Sequence, residues 1–159
     1  MDHKIILGVA PTRRGGVFVN PDALKQKELI YQKLRELELP QVELVDIEDI
    51  NEEGLLMGKE DVPKVIEKFK ARRVNALFFP HCNFGSAHSV AKVAAAFQLP
   101  VLLWGPRDEA PEADGSRLRD TQCGLFATGK VLRRMNVPFT YLPNCRVSEP
   151  LFAKGMDNF

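Results

Sequence analysis

The chain has 159 residues, 45% of them hydrophobic and 27% charged, which fits one globular domain and argues against disorder. With 22 basic and 21 acidic side chains the formal net charge is +1, so no field of one sign would draw the chain to nucleic acid or to an anionic membrane. The apolar runs fall far short of the roughly 20 residues a bilayer span needs, the polar opening Met1-Asp2-His3-Lys4 has no signal-peptide core, and Cys82, Cys123 and Cys145 lack Cys-x-x-Cys spacing, all of which suits a cytoplasmic protein with reduced thiols.

Lys4-Ile5-Ile6-Leu7-Gly8-Val9-Ala10 is nearly continuous and apolar, the mark of a strand covered on both faces. Asn20-Pro21-Asp22 starts a helix, with Asn as cap and Pro at the first helical position. Leu24, Ile30, Tyr31, Leu34 and Leu37 recur at helical spacing until Leu39-Pro40 ends the helix. Gln41-Val42-Glu43-Leu44-Val45-Asp46 alternates like a strand at a sheet edge, and residues 47–59 are acidic and irregular. The next helix sets Val62, Val65, Ile66 and Phe69 against Glu67, Lys68, Lys70 and Arg72, with Pro63 in its first turn, where no donor is lost.

Asn75-Ala76-Leu77-Phe78-Phe79 is a third strand, followed by a small, apolar helix over 86–97. Val101-Leu102-Leu103-Trp104 is a fourth strand. A helix over 121–135 carries Arg133 and Arg134 in its last turn, where the dipole favours cations. Phe139-Thr140-Tyr141-Leu142 makes a fifth strand, and 149–159 has room for a short helix. Strand and helix alternate five times, which predicts an α/β fold with helices on both faces of a parallel sheet. Right-handed crossovers favour a flavodoxin-like, three-layer doubly wound arrangement of five parallel strands in the order 2-1-3-4-5. Residues 1–159 then form a single domain, with a ligand crevice at the strand carboxyl ends.

Three polar loops leave those ends: Pro11-Thr12-Arg13-Arg14-Gly15-Gly16, Pro80-His81-Cys82-Asn83-Phe84-Gly85 and Trp104-Gly105-Pro106-Arg107-Asp108. Arg13 and Arg14 offer forked donors for an anion or a polyol, or else lie in a solvated loop. Neither Gly-x-Gly-x-x-Gly nor Gly-x-x-x-x-Gly-Lys-Ser/Thr occurs, which argues against dinucleotide and P-loop sites. His81, Cys82 and Asn83 read as hydrogen-bonding groups for a ligand or as a capped turn; a metal cage would need further converging ligands, and adjacent His and Cys side chains diverge. Trp104 is a core residue or an aromatic face under a sugar ring. Gln122, in the first turn of the fourth helix, can face the crevice, Cys123 packs as a small apolar group, and Asn144-Cys145-Arg146 follow the fifth strand on the same edge. His3 precedes the first strand and belongs to the opposite edge. Residues 107–120 carry mixed charge without hydrophobic anchors and are expected to order against a second domain or subunit, or to remain solvated. No carboxylate pair or nucleophile–base pair is visible, so the crevice reads as part of a site and no catalytic residue is assigned.

Pro80-His81-Cys82-Asn83-Phe84-Gly85, the run from Leu102 through Trp104-Gly105-Pro106-Arg107-Asp108 to Pro111, and Asp120-Thr121-Gln122-Cys123-Gly124-Leu125-Phe126 resemble the N-terminal domain of the L-fucose isomerase-like family. That family includes L-fucose/D-arabinose isomerases and is related to L-arabinose isomerases; the resemblance covers nearly the whole chain. It implies the N-terminal part of a longer, metal-dependent aldose–ketose isomerase of carbohydrate metabolism, acting through an enediol and inactive as this domain alone. It also implies Mn²⁺ held by Glu, Asp and His of later domains, with no cofactor on this one. The implied partners are a sugar substrate, the remaining domains and the neighbouring subunits of an oligomer. Arg13-Arg14 matches an Arg-Arg pair of the family, and the 81–85 loop matches one that delivers an aromatic residue in fucose isomerases proper, a place taken here by Cys82 beside Asn83. The expected substrate-contacting set is Arg13, Arg14, His81, Cys82, Asn83, Phe84, Trp104, Arg107 and Gln122. The competing reading is a stand-alone flavodoxin-like module for a nucleotide or small metabolite.

Overall fold

A computed structural model describes residues 4–16, 18 and 20–159. His3 lies outside them. Strands β1 (Ile5–Val9), β2 (Val42–Val45), β3 (Ala76–Pro80), β4 (Val101–Trp104) and β5 (Thr140–Tyr141) form one parallel sheet in the order β2-β1-β3-β4-β5, as expected. The helices are α1 (Asn20–Glu36), α2 (Asp61–Ala71), α3 (Ala87–Ala95), α4 (Thr121–Arg134) and α5 (Pro150–Asn158).

Successive strand residues point to opposite faces, and the two cores sort accordingly. Leu7, Val9, Ala76, Phe78, Leu102 and Trp104 pack with Ile30 and Tyr31 of α1 and with Phe152 and Met156 of α5. Leu77, Phe79, Val101 and Leu103 pack on the other side with Val65 and Phe69 of α2, Val90 and Val93 of α3, and Leu125 and Leu132 of α4. Central β3 is buried on both faces, which is why its five residues are apolar without alternation. Gly8 of β1 is required by packing: a Cβ there would stand 2.7 Å from Cε2 of Phe69, so the missing side chain lets α2 press on the sheet.

Three segments carry detail beyond the sequence reading. The fifth strand shrinks to two residues between Pro138 and Pro143, although Leu142 N still donates to Leu103 O at 3.0 Å. The acidic stretch 47–59 is irregular, as read, and is tied to the loop after β1: Leu55 and Leu56 are fully buried, and Leu56 N donates to Pro11 O at 2.8 Å. Loop 105–120 does have an internal anchor. Arg119 is buried; its Nε and Nη2 donate to Glu109 at 3.0 and 3.1 Å, and Nη2 also reaches Arg107 O. Residues 109–117 of that loop stay exposed, as does Arg107. A charged side chain can thus anchor a loop when its own neighbours supply the acceptors, which a hydrophobic pattern does not reveal.

Candidate functional site at the carboxyl edge of the sheet

Thr12 ties the rim together. Its backbone N donates to Pro80 O, its O accepts from Cys82 N, its hydroxyl donates to Leu56 O at 2.8 Å, and that oxygen accepts from Ser86 N at 2.9 Å. The loops after β1 and β3 and the 47–59 segment are therefore one hydrogen-bonded unit. Asn83, fully buried, adds a clamp: its Oδ1 accepts from Arg14 N at 2.7 Å and Gly85 N at 3.0 Å, and its Nδ2 donates to Arg14 O. Gly85 adopts φ +77°, which other residues avoid, so the chain can turn from the clamp into α3.

This clamp presents a compact pair. The Arg14 guanidinium lies 5.3 Å from the centre of the Phe84 ring, and Phe84 stacks on Phe18 with centroids 6.3 Å apart. Arg14 is exposed and both aromatics are half-buried. Beneath them Gly124 of α4 has no room for a side chain, since a Cβ would fall within the Phe84 carbonyl group.

Besides Asn83, four of the nine expected residues are in the interior. Arg13 turns inward to a bidentate pair with Glu53, which Asn20 also contacts. Its forked donors are thus engaged, and a free, solvated Arg13 is not what forms. His81 is sealed between Trp104 O (3.2 Å from Nδ1) and the Thr128 hydroxyl (2.9 Å from Nε2). A carbonyl can only accept, so Nδ1 carries the proton and Nε2 accepts from Thr128. Burial pushes the His81 pKa down to about 4 and that of the Cys82 thiol up to about 12. Trp104 is fully buried against Phe78 and Phe152, so its ring offers no face to a sugar; core packing takes it.

Arg107 and Gln122 form a second group around Asn144. Arg107 donates to Asn144 O and pairs with Glu149 at 3.3 Å, while Asn144 Nδ2 donates to Gln122 Oε1 and to Gly105 O. The neighbouring start of α4 is capped from a distance: Thr121 N and Oγ1 both donate to Asp108, since Asp120, at φ +58°, makes no cap hydrogen bond. Burial raises the Asp108 pKa despite these bonds. Cys123 is exposed, not packed inside as expected, because the helix turns that position outward. The sequence reading missed Thr12, Glu53, Asp108, Arg119 and Thr128. Thr12 and Asp108 carried a signal, their places in the polar runs after β1 and β4.

The three polar loops are linked at the backbone: Thr12 bridges His81, and His81 N donates to Trp104 O at 2.8 Å. Among the described residues no group of three or more His, Cys, Asp or Glu side chains could hold a metal ion, so the donor set here does not fit the Mn²⁺ that the resemblance implies for the whole enzyme. Among the same residues no helix is long and apolar enough to cross a membrane.

Comparison with solved structures finds an ABC transporter solute binding protein from Bacillus halodurans C-125 with bound myo-inositol, 8% identical, with a TM-score of 0.39. The match covers 92% of this chain, which spans only 58% of that one. No curated protein matches the chain. Residues 8–159 match the family described as the fucose/sulfoquinovose isomerase N-terminal domain, and the chain belongs to that family.

Proposed function

We propose that this domain forms a substrate-contacting rim of an aldose–ketose isomerase whose bond-making groups lie on other polypeptide. The observation that carries this reading is the Arg14–Phe84 pair, held out from the strand ends by Asn83. A guanidinium beside an aromatic face suits a polyol: forked N–H donors for hydroxyl oxygens, and a ring surface for the sugar's C–H face. Aldose–ketose isomerisation through an enediol moves one proton from C2 to C1 and another from O2 to O1, so the carbonyl passes from C1 to C2 and no redox partner is needed. Neither His81 nor Cys82 is placed to carry that proton: both are sealed, the imidazole is neutral near pH 7 and the thiol is protonated. The residues of this chain bind and orient; they do not transfer protons or hold Mn²⁺.

The strand-3 loop delivers its aromatic side chain from Phe84, while Cys82 is spent in the core. On this reading Phe84, not Cys82, is the residue of that loop that meets substrate. An oligomer in the cytoplasm, with neighbouring subunits and later domains closing the site, belongs to the same proposal. The test is steady-state kinetics of the full isomerase carrying this domain. Arg14→Ala and Phe84→Ala should each lower kcat/KM by about 5- to 150-fold, and the isolated domain should give no turnover with added Mn²⁺. Unchanged kcat/KM in both variants, or turnover by the domain alone, would refute the reading.

A further inference from the structure

We propose that the outer edge formed by α4 and β5 is a docking face for the acidic loop tip of a second copy of this chain. Phe126 is 65% and Tyr141 63% exposed. They border a groove of about 530 Å³ that is also lined by Phe139, Lys130, Arg133 and Arg134. None of these three cations has a carboxylate partner among the described residues. Cations at a helix end need no explanation beyond the dipole. Two large aromatic rings left in water beside them do.

The features of the edge narrow the occupant. Pro138 and Pro143 flank the two-residue β5, so a partner strand has no ladder to extend, and side chains must make the contact. The face cannot pair with itself across a two-fold axis, because three cations would meet three. Its complement lies elsewhere on the same chain. Ala110-Pro111-Glu112-Ala113-Asp114 is exposed, combines small apolar residues with two carboxylates, and among the described residues has no cation paired with Glu112 or Asp114. It is also pre-shaped: Gly115 N donates to Glu112 O at 2.8 Å, Glu112 N to Ser116 O at 2.9 Å, and Ser116 N to Asp114 Oδ1 at 2.9 Å. An ordered tip loses little entropy on docking.

The tip cannot reach the groove of its own molecule. It leaves the carboxyl end of β4, whereas α4 returns antiparallel to the strands and carries Arg133 and Arg134 to the opposite end of the sheet. The contact is therefore head-to-tail between molecules, the kind that closes rings when its rotation permits. The inference does not depend on the isomerase reading.

Sedimentation velocity across a concentration series, at low and high salt, tests it. The protein should self-associate, more weakly at high salt. The pair Arg133→Glu/Arg134→Glu and the pair Glu112→Lys/Asp114→Lys should each raise the dissociation constant by about tenfold or more. All four exchanges together should restore most of the affinity, with circular dichroism showing the fold intact in each. A protein that stays monomeric throughout, association unaffected by either pair, or a quadruple variant that fails to recover would overturn the proposal.

Discussion

His81 offers the sharpest check on the interior of the site. Burial lowers its pKa from 6.5 to about 4, so the folded state binds fewer protons than the unfolded state between those values. Its contribution to stability is complete above pH 6.5, falls as the pH drops toward 4, and flattens once both states are protonated. At about 1.4 kcal/mol per pKa unit the loss amounts to about 3 kcal/mol. The comparison is urea unfolding of the wild type and His81→Asn from about pH 7.5 to 4. Asparagine keeps a donor near the Nδ1 position, for Trp104 O, but does not titrate. The variant should be less stable at neutral pH, and the gap between the two proteins should narrow by about 3 kcal/mol as the pH falls through this window. A gap that does not change with pH, or an NMR titration showing His81 protonating near its ordinary value, would refute the reasoning.

Two further outcomes follow from packing. Gly124→Ala should unfold more easily by about 2–4 kcal/mol, and should displace the 81–85 loop, because the new methyl collides with backbone rather than with a side chain that can swing away; a crystal structure and a urea melt check both, and an unperturbed Phe84 would count against the packing described. Of the three thiols only exposed Cys123 should react promptly with a thiol reagent in the native protein, with buried Cys82 and Cys145 released on denaturation; rapid titration of two or three thiols would show that the core is not sealed as described.

The sheet order was legible because its signals are local. Apolar runs at Ile5–Val9, Ala76–Pro80 and Val101–Trp104 alternate with helical spacing, and chain handedness then leaves few arrangements. The rim was legible only as a neighbourhood. Nothing near Arg13 announces that Glu53, 40 residues on, will claim it, nor that the adjacent Arg14 will remain outside. Residue type alone left His81 and Trp104 open: groups that commonly touch ligands are here engaged by Thr128 and by Phe78 and Phe152. Long-range pairing decides which polar side chains are free, and it leaves no periodic trace in the chain.

The Thr12 hydroxyl joins partners 44 and 74 residues away. One oxygen thus serves as a common joint for stretches of chain that are remote in sequence. The rim cannot be retuned piece by piece: a change that shifts any one stretch must be matched in the other two. Specificity in this domain would therefore drift through concerted substitutions, and grafting a single loop from a relative should transplant strain before it transplants preference.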